Sequence, residues 1–157
     1  MAHRGPRLVQ PRVQPLRAGA AATPAEARRR APAGRRRGLS RAVRYFSRGR
    51  GAPPLVFVHG FTCDHTDWRF QVSHFQSQRQ VVACDLRGHG STPGRPEECT
   101  ISHYGGDVAA LLGKLDFEKS ILVGHSMGCR VVLEAARLEP GRVGAIVLID
   151  GGRRLSA

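Results

Sequence analysis

The stretch Ser120-Ile121-Leu122-Val123-Gly124-His125-Ser126-Met127-Gly128-Cys129-Arg130-Val131 decides how this chain is read. Ile121 to Val123 is a short apolar run of the strand type. Met127, Val131, Ala135 and Leu138 then keep one face at helical spacing. A strand that turns into a helix within so few residues leaves Ser126 at the corner. Its backbone must take strained angles there, and its hydroxyl is pushed clear of the sheet. Gly124 and Gly128 carry no Cβ, so strand and helix can pass close together. The first amides of the helix face the space above the serine, where Met127 N–H can stabilise a developing oxyanion. A Gly-rich turn with a capping serine is the plainer reading of G-x-S-x-G; the strand before it and the helix after it favour the first.

Working outward, strand and helix patterns alternate. Ala42 to Ser47 reads as a first short strand, and Leu55 to Val58 as a strand buried on both faces. Trp68, Val72 and Phe75 suggest a short helix, and Gln80 to Cys84 a further strand. Ile101, Tyr104, Val108, Leu111, Leu112 and Leu115 follow helical spacing behind Thr100 as N-cap, with Gly105 and Gly106 weakening the first turn. Ser120 to Val123 is a strand, Met127 to Leu138 a helix stopped by Pro140-Gly141, and Gly144 to Ile149 the last strand. This alternation implies βαβ units in an α/β, three-layer α/β/α architecture with a mostly parallel sheet. In such sheets ligands bind beyond the carboxyl ends of the strands. Three motifs fall there: His59-Gly60-Phe61, the segment Asp85 to Ser91, and Gly124-His125-Ser126-Met127-Gly128.

Charge divides the 157 residues sharply. The formal net charge is +13, from 25 Lys and Arg against 12 Asp and Glu. Residues 1–50 hold 14 arginines and one acid, Glu26, whereas residues 51–157 hold 11 basic and 11 acidic side chains. The pI therefore describes one end, which excludes reading the whole protein as a nucleic-acid binder from its pI. Residues 1–40 are rich in Arg, Pro and Ala and poor in large apolar side chains, so a disordered tail is expected there and a folded domain over 41–157. The tail also fits a targeting presequence, although it is serine-poor and proline-broken. Its Arg28-Arg29-Arg30 and Arg35-Arg36-Arg37 runs fit weak contacts with anionic lipid or nucleic acid, without the interleaved aromatics of a stacking surface. An upstream extension from a misassigned start codon is a further reading that composition leaves open. No apolar h-region of a secretory signal follows the charges, and no run approaches a transmembrane length.

The three motifs together resemble the α/β-hydrolase-fold family, with its His-Gly oxyanion motif, its D-x-R-G-x-G-x-S segment and its Gly-His-Ser-Met-Gly elbow. The resemblance runs from about Arg44 to Gly152. It implies Ser126 as nucleophile, Phe61 as the residue whose N–H joins Met127 in the oxyanion hole, and His59, Gly60, Gly124, His125 and Gly128 as support of loop and elbow. It gives Asp85 to Ser91 a structural role. Serine rather than a carboxylate at position 126 departs from the dehalogenase and epoxide-hydrolase branches. Cys129 stands where relatives often carry a further glycine.

A serine hydroxyl needs a base, and this fold orders its triad Ser, then Asp or Glu, then His. All seven histidines, His3, His59, His65, His74, His89, His103 and His125, precede Ser126. By resemblance Asp150, directly after the family's sixth strand, is a candidate acid, with a loop-structural role the plainer reading. The resemblance therefore implies a domain truncated after that strand, without its base or cap, and an exposed strand edge open to self-association. The expectation is a serine-hydrolase site for a small-molecule acyl substrate, an ester or related compound, with little turnover from these residues alone. Two rivals are a non-catalytic binding protein that keeps the pocket, and a protein whose basic tail is its purpose.

Cys63, Cys84, Cys99 and Cys129 show neither C-x-x-C nor metal-ligand spacing, and fit reduced thiols in a cytoplasmic compartment, or an organelle if the tail is a presequence. Asp64, His65 and Asp67 form a polar cluster better read as a solvated loop than as a metal site. Gly88-His89-Gly90 lacks the rest of a dinucleotide loop, so no cofactor is expected.

Overall fold

The computed structural model describes residues 43–151. The tail expected over 1–40 and the last six residues lie outside the described residues. The chain divides into two units, 1–37 and 38–157, and the second holds every element below. In order these are β1 (Tyr45–Arg48), β2 (Leu55–Val58), a 3-10 turn (His65–Trp68), α1 (Arg69–Phe75), β3 (Val81–Cys84), α2 (Ile101–Lys114), β4 (Ser120–His125), α3 (Met127–Leu138) and β5 (Val143–Ile149), with short 3-10 turns at Pro96–Glu98 and Pro140–Arg142.

The five strands form one sheet in the order β1-β3-β2-β4-β5. β1 runs antiparallel to β3, and the other pairs are parallel. The first strand is later than its apolar pattern suggested: Arg44 N–H donates to Thr92 Oγ1 at 2.8 Å, and the named strand begins only at Tyr45. Ser120 to Val123 was the expected strand; hydrogen-bonded pairing with β5 carries it on to His125.

Alternation of side chains divides the core between the two faces of the sheet. Val56, Val58, Val82, Cys84 and Leu122 face α2 and α3, meeting Tyr104, Val108, Leu112, Val131, Val132 and Ala135. Leu55, Phe57, Val81, Ala83 and Val123 face the other way, against Trp68 and Val72. The result is the expected three-layer arrangement. Each fully buried Val, Leu or Phe contributes about 1.5–3 kcal/mol of transfer free energy. Burial also pushes the Cys84 thiol up to about 12, so it serves as a small apolar side chain.

Thr100 caps α2 as expected, its hydroxyl accepting from His103 N–H at 3.3 Å. Gly105 does not delay the helix. A Cβ there would run into the Glu134 side chain and come within 3.2 Å of Ala135 N. The glycine lets α2 and α3 cross closely, and tertiary packing outweighs its propensity cost of about 1 kcal/mol. Among the described residues no helix is long and apolar enough to cross a membrane.

Candidate functional site

β2 and β4 are parallel neighbours with Val58 level with Gly124. The loop after β2 and the turn after β4 therefore emerge side by side at the same end of the sheet. Ser126 sits between β4 and α3 at φ 51° and ψ −113°, a left-handed φ that a non-glycine residue rarely adopts. Such a conformation costs about 1–3 kcal/mol and holds only when its surroundings impose it. Here they do. A Cβ on Gly124 would strike Gly128 O, and one on Gly128 would strike Val58 O and lie 2.7 Å from His59 O. Strand, helix and the neighbouring strand's end are thus in backbone contact, and Ser126 N–H is tied to Ile149 O at 2.9 Å. The Ser126 side chain is exposed.

The loop after β2 closes on this corner. A Cβ on Gly60 would lie 3.4 Å from Ser126 Cβ and 3.2 Å from His125 Nδ1. Among the described residues neither Phe61 N–H nor Met127 N–H donates to a protein acceptor. Phe61 is 67% exposed. The His125 ring stands edge-on to Trp68, centroids 6.4 Å apart, so it packs toward the α1 layer.

His59 is 1% exposed and both its nitrogens are committed. Nδ1–H donates to Gly60 O at 2.7 Å, and Leu86 N–H donates to Nε2 at 3.0 Å. One nitrogen must be protonated and the other bare, which fixes the neutral tautomer. Burial in turn holds its pKa below the usual histidine value. His89 lies beside it, rings 5.2 Å apart, with Nδ1–H donating to Arg87 O at 3.1 Å and Phe61 5.8 Å away.

The segment Asp85 to Ser91 is held by a carboxylate–histidine hydrogen bond and an ion pair that the sequence did not show. Asp85, 1% exposed, accepts from His65 N–H, His65 Nδ1–H and Ser91 N–H, each at 2.8 Å. Burial pushes this carboxyl up, but those donors outweigh it and hold it below the usual range. Arg87 forms a two-point fork on Asp107 of α2, at 2.6 and 2.5 Å, which raises the arginine further. Each partner lies 20 residues away in sequence, so no local signal exposed the pairs.

The polar cluster expected from Asp64, His65 and Asp67 is composed differently. Asp85, not Asp67, brings its carboxylate within 4.8 Å of the other two. Asp67 instead faces Cys63, and its hydrogen bond pushes that thiol up. Asp64 Oδ1 caps the following turn through Thr66 N–H at 2.7 Å and its hydroxyl at 2.6 Å. These carboxylates already serve the protein's own donors.

Cys129 donates its thiol to Gly124 O at 3.1 Å and Ile149 O at 3.4 Å, stitching α3 to the ends of β4 and β5. Asp150 follows β5 at φ 49°, is exposed, and makes no hydrogen bond among the described residues.

A sequence profile of the alpha/beta hydrolase fold matches residues 53–156. Over 110 residues the chain is 41% identical to the dihydrolipoyllysine-residue acetyltransferase component of the acetoin cleaving system of Pseudomonas putida, covering 69% of this chain and 30% of that protein. Over 99 residues it is 39% identical to a non-heme chloroperoxidase of Streptomyces lividans, covering 62% and 36%. A thermophilic esterase from Thermogutta terrifontis superposes with a TM-score of 0.68 at 31% identity, over 73% of this chain and 42% of that one. The chain thus spans between 30% and 42% of the length of these relatives.

Proposed function

Because the chain belongs to the alpha/beta hydrolase fold family, we propose that it carries the nucleophile half of a serine-hydrolase site for esters or related acyl compounds. The observation that carries this reading is the backbone of Ser126: a non-glycine residue at φ 51°, exposed in the turn between β4 and α3 at the strand ends of the sheet. In the proposed reaction Ser126 Oγ attacks the acyl carbon and the carbonyl electron pair moves onto oxygen. Phe61 and Met127 N–H receive that oxyanion. The hydroxyl proton passes to a base, the leaving group departs with a proton, and water releases the acyl group. His59 and Gly60 hold the Phe61 loop; Gly124, His125 and Gly128 hold the elbow.

The base is the open role. None of the seven histidines follows Ser126, and His59 has neither a free nitrogen nor a charge to offer. Asp150 is the candidate acid to orient a base. Loss of a triad histidine lowers kcat by about 10⁶-fold in a serine protease and leaves about 10³–10⁴ over water from the remaining site. The 157-residue chain is therefore expected to react slowly with p-nitrophenyl acetate, and Ser126→Ala is expected to remove any acyl group carried on the protein at that position. A trapped acyl group on Ser126, read by mass spectrometry, supports the proposal. A folded chain with no Ser126-dependent acylation and no fluorophosphonate labelling overturns it. That result favours a non-catalytic binding protein, the reading that the committed nitrogens of His59 support.

A further inference from the structure

The loop that carries Phe61 runs from His59 to His65, and both its ends are tied to one segment, Asp85 to Ser91. At the near end the buried His59 makes the link: Nδ1–H donates to Gly60 O at 2.7 Å, and Nε2 accepts from Leu86 N–H at 3.0 Å. At the far end His65 makes two bonds to one oxygen. Its backbone N–H and its Nδ1–H both donate to Asp85 Oδ1 at 2.8 Å. The His65 ring also stacks on Phe46 of β1, with centroids 6.3 Å and planes 22° apart. Between the two ends the Phe61 ring stands edge-on to His89 of the same segment, at 5.8 Å.

The far anchor is built in, and the loop it holds is not relaxed. Asp85 is 1% exposed, and its second oxygen takes Ser91 N–H at 2.8 Å. Gly90 passes so close that a Cβ there would lie 2.5 Å from the carboxylate. Thr62, directly after Phe61, stands at φ 62°, in the left-handed region that a β-branched residue rarely enters. The Thr62 side chain is exposed and bonds only locally, its hydroxyl donating to Phe61 O at 2.6 Å, so burial does not impose this backbone. Such a conformation persists only where the surroundings over-determine it. Fixing Gly60 and His65 on one segment supplies that constraint. Once the far end is released, the turn is free to relax, and Phe61 is bonded directly to the residue that would move.

We infer that His65 is a positioning residue: through Asp85 it holds the strained Phe61–Thr62 turn, and so fixes Phe61 N–H on the loop that closes on Ser126. The inference deepens the proposed function and rests on it for the role of Phe61 N–H. The clamp itself stands on groups that all lie within residues 46–91.

Two readouts on the 157-residue chain test it. Backbone 15N relaxation follows the loop without any reaction. His65→Ala is expected to lower the order parameters of Phe61 and Thr62 from a rigid value of about 0.85 toward about 0.6, leaving Met127 unchanged. His65→Asn, whose Nδ2–H stands at the same place along the side chain as Nδ1–H, is expected to restore them. Acylation of Ser126 by p-nitrophenyl acetate, read by mass spectrometry, follows the chemistry. Losing an oxyanion donor outright costs about 10²–10³-fold in rate, so loosening one through His65→Ala is expected to lower the maximal acylation rate about tenfold, with the half-saturating ester concentration unchanged. His65→Asn is expected to recover most of that rate. Thr62→Gly placed on His65→Ala is expected to recover part, because glycine takes φ 62° without strain. Val82→Ala, a change in the fully buried core away from the loop, controls for lost stability and is expected to keep the parent's rate. A parent chain that shows no Ser126 acylation removes the proposed function and leaves the clamp to the relaxation readout. Order parameters indifferent to His65→Ala overturn the clamp. A loop loosened at unchanged rate overturns the positioning role, as does a rate loss that Val82→Ala reproduces or His65→Asn leaves unrepaired.

Discussion

β2 and β3 on one side of the sheet and β5 on the other are equally apolar in sequence, yet their surroundings differ. Every residue of Leu55–Val58 and Val81–Cys84 is buried, under α1 on one face and under α2 and α3 on the other. β5 carries residues of the same types, and Val147, Leu148 and Ile149 stand 41–50% exposed. The loops follow the same division. After β3 the acid Asp85 is buried and takes three hydrogen bonds; after β5 the acid Asp150 is exposed and takes none. Ser126 lies between the two sides. Its strained backbone is anchored on the filled side by contact of Gly128 with Val58 and His59, and the residue is exposed at the end of β4. The filled half therefore acts as the rigid support, and the half with unsatisfied surface is where new contacts can form.

The widest separation between the halves is expected for their acids. Asp85→Ala leaves two N–H groups and a histidine nitrogen without their acceptor and should cost about 3 kcal/mol, whereas Asp150→Ala should change stability by less than about 0.5 kcal/mol. Denaturant unfolding measures both. The same series against pH has a defined sign. Because the folded pKa of Asp85 is depressed, its contribution is fully present above its unfolded value near 3.8 and is lost as pH falls through the lower folded value. Asp85→Ala should remove that acid-side loss, and an unchanged profile would mean that the His65 contact does not form.

A smaller but cleaner contrast uses one chemistry on both sides. Val82→Ala deletes two methyl groups from a fully buried position and should cost about 2 kcal/mol, against less than about 1 kcal/mol for Val147→Ala at 43% exposure. Equal losses would break the comparison, because they would mean that β5 is covered in solution as well as β3.

The smallest effect is expected at the boundary. Ser126→Gly relieves the left-handed φ and should raise stability by about 0.5–1 kcal/mol, while Ser126→Ala, which keeps the Cβ, should be near neutral. A destabilised Ser126→Gly would show that the turn is unstrained and would remove the main support for a nucleophile there.

Much of this was legible in the sequence because it rests on local pattern. The strand at Leu55–Val58 and the helix at Met127–Leu138 follow from uninterrupted apolar runs and from 3.6-residue spacing, and both stand where they were expected. The glycines flanking Ser126 announced a close approach, and the backbone contacts of Gly124 and Gly128 supply it. Gly105 misled in the other direction: its propensity argued against an early helix start, and only the crossing with α3 explains why a glycine is needed. The partners of Asp85 and Arg87 stayed hidden because His65 and Asp107 each come from 20 residues away, on separate elements.

By itself the sequence determined the alternation of strands and helices, the sharp corner at Ser126 and the absence of any histidine after it, since these depend on residue types and their near neighbours along the chain. Only the tertiary structure decided that His59 is a neutral structural histidine, that Asp85 belongs to the cluster assigned to Asp67, and that β5 is bare where β3 is covered. Burial and hydrogen-bond partnership are properties of what folds against a residue, and an apolar run carries no record of whether anything does.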